Sequence, residues 1–325
     1  MAEGDDMPQR IPTGAWLTTK FERLLKMTET IVQDSERHYT EPEYGFWSLK
    51  KEIALMYWIW PFLTIASEYF DSFFYVDLFA GPGLMKANDH YFVGSPVVAV
   101  GSTLPDKQFS EYVCFEIDPL RSENLKERME VASKRFGTPP AKVFNVDCNR
   151  QLLAILEDVC PKGNICFLAF VDPENIKDLK WKTVYELLTY CKGDMILTFP
   201  TVGIVRNLNI AKHNQKMGRL FSDFFGENGW RDVTSSADSI VEYYKARVSR
   251  TNELKRSVDS LSVRDESNHR LYDIIFATGS TGMRNAMKDM KKRLNRIRTQ
   301  DFRAIHEVIA EKSQSQLTNF SHSFE

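Results

Sequence analysis

Long apolar runs, paired cysteines and a dominant sign of charge are all missing from this 325-residue sequence. The most apolar early stretch, 53–65, falls short of the roughly 20 residues that a membrane-crossing helix needs, and it contains Pro61. The opening residues MAEGDDMPQR are acidic and polar, unlike the apolar core of a secretory signal. The expectation is a soluble cytoplasmic protein with no membrane partner. Cys114, Cys148, Cys160, Cys166 and Cys191 form no C-x-x-C pair and have no histidine at metal spacing. Most of them stand in apolar runs and read as small hydrophobes in a reducing compartment. His213 and His269 lie in polar contexts, and no metal site is expected. Lysine and arginine number 42 against 44 acidic residues, so the surface as a whole offers nucleic acid no broad cationic field. A local basic patch remains open.

What is present is core. Hydrophobic residues make up 43% of the chain, enough for a sizeable interior. Residues 1–14 read as a disordered leader. Residues 15–70 read as a helical N-terminal cap, with Trp16, Phe21, Leu24, Leu25 and Ile31 on one face and a second aromatic-rich helix bent near Pro61. From residue 71 the period changes. Short apolar runs at 73–79, 112–117, 142–147, 166–172 and 194–200 alternate with helical stretches near 119–136, 149–160 and 178–191. Buried strands alternating with helices predict an α/β, doubly wound, mostly parallel sheet with both faces covered. A helical insertion follows the fifth strand over about 203–255. Segments 256–264 and 270–278 then form a late antiparallel hairpin, closing a domain over 71–299, with 300–325 as a C-terminal tail.

In an open parallel sheet, ligands bind beyond the carboxyl ends of the strands, so the residues there carry the information. They are Asp77–Gly83, Glu116–Asp118, Asp147 and Asp172–Pro173. Gly81 and Gly83 allow a sharp turn and a close approach of backbone to ligand. The turn lacks the third glycine of a dinucleotide fingerprint, which disfavours both phosphate binding and a nucleotide-dependent oxidoreductase. Glu116 can accept hydrogen bonds from ribose hydroxyls, and Asp147 from an adenine amine. Equally, such acids can cap the helices that follow, and for Asp118, just before Pro119, capping is the expected role. Asp172-Pro173 either orients a planar amine towards a sulfonium methyl or serves as an ordinary turn.

The blocks Tyr75-Val-Asp-Leu-Phe-Ala-Gly-Pro-Gly83, Gly94-Ser-Pro-Val-Val-Ala99, Cys114-Phe-Glu-Ile-Asp118, Phe170-Val-Asp-Pro173, Phe199-Pro-Thr-Val-Gly-Ile-Val-Arg-Asn207 and Tyr272-Asp-Ile-Ile-Phe-Ala-Thr-Gly279 occur in that order. Together they resemble the three-Cys-motif partner protein family over roughly residues 45 to 290. The resemblance implies a class I, Rossmann-like methyltransferase fold that uses S-adenosylmethionine. It places Asp77, Phe79, Gly81 and Gly83 along the methionine end of the cofactor, Glu116 at ribose and Asp147 near adenine. Asp172 and Pro173 are the implied catalytic pair. It also implies the genomic company of a radical-SAM-like protein bearing a three-cysteine motif. Enzymes that methylate adenine amines usually carry Asp/Asn-Pro-Pro and then an aromatic that stacks on the base. Glu174 and Asn175 stand there instead, which puts adenine N6 methylation in doubt. Two functions therefore stand side by side: a methyltransferase with a possible nucleic-acid acceptor, and a non-catalytic partner of the radical-SAM-like protein.

Two further features remain. The segment 284–298 reads as a basic helix, with Met287, Met290, Leu294 and Ile297 inward and Arg284, Lys288, Lys291, Lys292 and Arg296 outward. The stretch 84–94 reads as a long loop, a mobile lid over the glycine turn.

Overall fold

Near-continuous apolar segments have to be covered on both faces, and this requirement sets the architecture. The computed structural model describes residues 13–35, 43–87, 90–160, 163–251, 255–307 and 309. The strands are β1 (Glu43–Tyr44), β2 (Ser72–Asp77), β3 (Leu84–Ala87), β4 (His90–Val93), β5 (Glu111–Phe115), β6 (Ala141–Phe144), β7 (Ile165–Val171), β8 (Lys192–Phe199), β9 (Ser257–Arg264) and β10 (Arg270–Thr278). Seven of them form one sheet in the order β6-β5-β2-β7-β8-β10-β9. The first five are mutually parallel, and β10 runs antiparallel between β8 and β9. The chain winds outward from β2 through β5 to β6, then returns to β7 on the other side of β2. This is the methyltransferase variant of the doubly wound sheet, and the reversal between β2 and β7 opens the crevice where such folds hold ligands. Every residue of β7 is buried, as its central position requires.

Two hydrophobic layers sandwich the sheet. On one face pack α1 (Thr13–Asp34), α2 (Leu49–Tyr69), α3 (Ser95–Gly101), α4 (Pro119–Phe136) and α10 (Thr281–Leu294). On the other lie α5 (Cys148–Val159), α6 (Trp181–Tyr190), α7 (Thr201–His213), α8 (Gln215–Phe225) and α9 (Ala237–Ser249). Alternation along β2 divides its side chains, with Tyr75 facing the first layer and Phe74 and Val76 the second. The helices at 15–70 thus supply much of one layer. Within that layer Trp58 stacks on Phe276 with ring centroids 5.3 Å apart, and its indole nitrogen donates to Asp194 at 3.0 Å. The helical segment after β8 builds the opposite layer around Phe221, Phe224, Phe225, Trp230 and Tyr244.

Three expectations need correction or completion. The stretch 84–94 is no loop: β3 and β4 pair antiparallel, with β1 alongside β3, and Leu84, Ala87, Phe92 and Val93 are buried. Apolar anchors on both strands hold this hairpin down, so it does not act as a lid. The tail expected from residue 300 begins with helical residues 299–307, and Phe302 is fully buried with its ring 6.1 Å from that of Phe21. The leader expected at 1–14 lies, up to residue 12, outside the described residues. The inward face of α10 is as expected, with Met287, Met290 and Leu294 buried and Ile297 buried just beyond it.

Asp273 ties the late hairpin to the sheet. Its carboxylate receives two hydrogen bonds from the Arg270 guanidinium, at 2.7 and 2.8 Å, a third from Ser262 at 2.8 Å, and one from the Thr201 hydroxyl that starts α7. Removing one member of such a buried pair strands the others without water. Asp273→Ala is therefore expected to lower stability by about 3–5 kcal/mol in chemical denaturation. A loss below about 1 kcal/mol would contradict this role.

Candidate functional site

The backbone at the end of β2 forms the floor of the site. Gly81 and Gly83 both take positive φ, +61° and +81°, a region that side chains other than glycine's adopt with strain. A Cβ on Gly83 would also stand 3.1 Å from Leu125 Cδ1. Between them Pro82 offers no N–H, and its carbonyl accepts from Arg128 Nη1 at 2.6 Å. The Gly94 N–H donates to the Gly83 carbonyl at 2.9 Å, and Pro96 stands in the first turn of α3. The Gly94-Ser-Pro block thereby locks the turn to the next helix.

Beneath this turn lies Asp77, fully buried. Its carboxylate accepts from the Tyr75 hydroxyl at 2.8 Å and from the Phe79 N–H at 3.3 Å. Burial pushes the Asp77 carboxyl up to about 7, against the pull of the Ser95 and Tyr75 hydroxyls and the Phe79 N–H.

Above the turn a cleft of about 500 Å³ runs across the ends of β6, β5, β2 and β7. Phe79, Gly81, Gly83, Glu116, Asp147 and Asp172 all line it. The sequence-derived candidates are brought together with two exceptions: Asp77 lies below the turn, and Pro173 is buried off the cleft wall. The choice between ligand and cap divides by residue. Asp118 is the N-cap of α4, accepting from Arg121 N at 2.9 Å. Asp147 is the N-cap of α5, accepting from Asn149 N at 2.9 Å, and it also faces the cleft. Glu116 caps no helix. Its Oε1 accepts from Asp118 N at 2.8 Å, and burial raises its carboxyl.

Three lining residues lay outside the sequence-based set because they come from the distant N-terminal segment: Tyr44, Lys51 and Glu52. Lys51 forms an ion pair with Asp172 and lies over the Tyr44 ring at 5.8 Å. Burial lowers its tendency to hold a proton, but Asp172, Tyr272 and Glu52 more than offset this, so it stays above the ordinary lysine range. Glu52 is 2% exposed, and its Oε2 has no hydrogen-bond partner among the described residues. Burial pushes its carboxyl up to about 8, against Lys51, with Asp172 and Asp77 adding to the rise. The sequence carries no signal for them: Lys50-Lys51-Glu52 stand in the opening turn of α2, where charged residues are ordinary. Glu174 pairs with Arg121 at 3.2 Å at the rim. The wall carries Glu52, Glu116, Asp118, Asp147, Asp172, Glu174 and Asp178 against Lys51, Arg121 and Lys177. Carboxylate predominates, which favours a cationic ligand over a phosphate.

No protein-family model matches the chain. No curated protein matches it either. Among solved structures, the LPL1258 protein of Legionella pneumophila, described under family model DUF519, is 12% identical at a TM-score of 0.41, covering 72% of this chain and 85% of that one. An O-methyltransferase from Bacillus cereus, solved in complex with SAH, is 10% identical at 0.36, covering 84% and 94%. The plantazolicin methyltransferase BpumL, also solved with SAH, is 7% identical at 0.37, covering 87% and 93%. The fold assignment rests on the strand order given above.

Glu52 yields a pH prediction. Its folded-state pKa, about 8, lies above the ordinary 4.5, so the fold favours the neutral acid. That contribution to stability is complete below about pH 4.5 and is lost as pH rises through 8. Asp77 acts in the same direction through about 7. Glutamine cannot ionise, so Glu52→Gln should match the parent near pH 4.5 and melt several degrees higher at pH 9. Equal melting temperatures for the two proteins at pH 9 would contradict the burial argument.

Proposed function

We propose that the chain is an S-adenosylmethionine-dependent methyltransferase. The carrying observation is the single cleft that joins the positive-φ glycine turn to Glu116 and Asp147, with acid in excess along its wall. The residues present fit the cofactor. The glycine turn leaves room for close approach, and a Cβ on Gly81 would project into open space. In this reading Glu116 accepts from the ribose hydroxyls, and Asp147, one strand further out, meets the adenine amine. A carboxylate-rich wall suits a ligand bearing a sulfonium and an ammonium. Pro82, lacking an N–H, makes the turn a poor phosphate cradle.

When bound, the cofactor supplies a methyl group on a positively charged sulfur, open to direct displacement. The chain's own work is to align the acceptor and exclude water. Asp172, at the end of β7, is the residue to accept a hydrogen bond from the nucleophile and orient it. Lys51 fixes the Asp172 carboxylate in place. Pro173 sets the rigid backbone behind it. A nucleic acid is the acceptor class this reading retains, and with Asp-Pro-Glu-Asn in place of an aromatic-bearing motif, any stacking surface for a base would come from elsewhere.

The Lys51–Asp172 pair also supports a second reading, in which the orienting carboxylate is permanently engaged and the chain is a methyltransferase-fold partner of a radical-SAM-like protein. Transfer of label from methyl-labelled cofactor to DNA, RNA or protein separates the two. Under the first reading intact protein transfers label and Asp172→Ala reduces the rate by about 100-fold or more. Cofactor binding with no transfer to any acceptor class would favour the second. Loss of one hydrogen bond to a charged group weakens binding by about 10- to 100-fold. Glu116→Ala should therefore raise the Kd for S-adenosylhomocysteine by that factor in calorimetry. An unchanged Kd would remove Glu116 from the site.

A further inference from the structure

Building on the cofactor reading, we propose that Glu52 is the carboxylate that receives the α-ammonium group at the amino-acid end of the ligand. The strand-end acid that the motif offers for this end is Asp77, but its carboxylate is fully buried beneath the turn and already accepts from the Tyr75 hydroxyl and the Phe79 N–H. Glu52 instead fronts the cleft, supplied by α2 from outside the strand-end pattern. It is 98% hidden from solvent, and its Oε2 has no donor among the described residues. A buried carboxyl lacking a partner is costly to keep unless something fills it, and its place on the wall says from which side the partner arrives.

The order of strands says which end of the ligand that partner belongs to. Asp147 follows β6 and Glu116 follows β5, so the nucleoside end lies towards that edge. Neighbouring strands are about 4.8 Å apart, which sets Asp147 roughly 10 Å from the line of β2. Glu52 sits on the far side of the turn, near Asp77 at the end of β2 and Asp172 at the end of β7. A ligand laid from Asp147 over Glu116 and across the glycine turn therefore brings its terminal amine to Glu52. Lys51 does not compete for this role, since its ammonium is held by Asp172.

The proton follows from the surroundings. Before binding, the Glu52 carboxyl holds its proton near neutral pH because burial favours the neutral form. An arriving ammonium favours the carboxylate, so the proton leaves to solvent as the ion pair forms.

The test compares two nucleosides by calorimetry. S-adenosylhomocysteine carries the amino-acid arm, and 5′-methylthioadenosine lacks it. Each is titrated into the intact protein, Glu52→Gln and Glu52→Asp at pH 7 in buffers of different ionisation enthalpy. The expected result is release of close to one proton per S-adenosylhomocysteine bound by the parent and little release in Glu52→Gln. The glutamine variant should bind S-adenosylhomocysteine about tenfold or more weakly and 5′-methylthioadenosine within about twofold of the parent. Glu52→Asp should recover part of the loss. Equal weakening towards both nucleosides, or tight binding of S-adenosylhomocysteine to the parent without proton release, would overturn the assignment while leaving the cofactor reading intact. If neither nucleoside bound the parent, the cofactor reading itself would fall and the role of Glu52 with it.

Discussion

The cleft depends on a carboxylate that does not face it. Asp77 accepts from a tyrosine on its own strand and from the backbone just after that strand. These two bonds fix where β2 ends and how the chain leaves it, and the Gly94 N–H bond to the Gly83 carbonyl sets where the next helix begins. With the Arg128 contact to the Pro82 carbonyl they hold two glycines in positive-φ conformations. A flexible turn would present its backbone to a ligand only part of the time. This one is pre-organised, which spares the ligand the entropy of ordering it.

Electrostatics follow from the same burial. The cleft wall is acidic, and two of its most enclosed groups, Lys51 and Glu52, come from adjacent positions on α2. Lys51 has found its partner in Asp172, while the Oε2 of Glu52 has no hydrogen-bond partner among the described residues. A buried titratable group left without a partner marks where chemistry is done more often than where stability is gained. The packing of α2 against the sheet, with Trp58 stacked on Phe276, is what carries those two charges to the strand ends.

The sheet was legible because its strands are buried on both faces, and unbroken apolar runs such as Ile165–Val171 leave little else to be. The glycine turn and the acids beyond β5, β6 and β7 were legible because parallel topology sends every strand end to one edge. Two things were not. The hairpin of β3 and β4 has strands of four residues each, too short to show a period, so Phe92 and Val93 carry no strand signal although both are buried. Lys51 and Glu52 lie far from the strand ends in sequence, and only the tertiary packing of α2 joins them to Asp172. Local patterns could not distinguish Asp77 as a prop beneath the site from Asp77 as part of its wall, since that depends on the Tyr75 and Ser95 hydroxyls closing over it.

Under the proposed function the strand-end cleft takes an adenosyl cation, not a phosphorylated nucleotide. Co-crystallising the protein with S-adenosylhomocysteine, and in parallel with NAD, distinguishes the two. The expected outcome is the homocysteine nucleoside lying across the glycine turn, with its ribose hydroxyls within hydrogen-bond reach of Glu116, and no NAD bound. NAD seated there with its pyrophosphate on the Gly81–Gly83 turn, or S-adenosylhomocysteine bound away from Glu116, would contradict it.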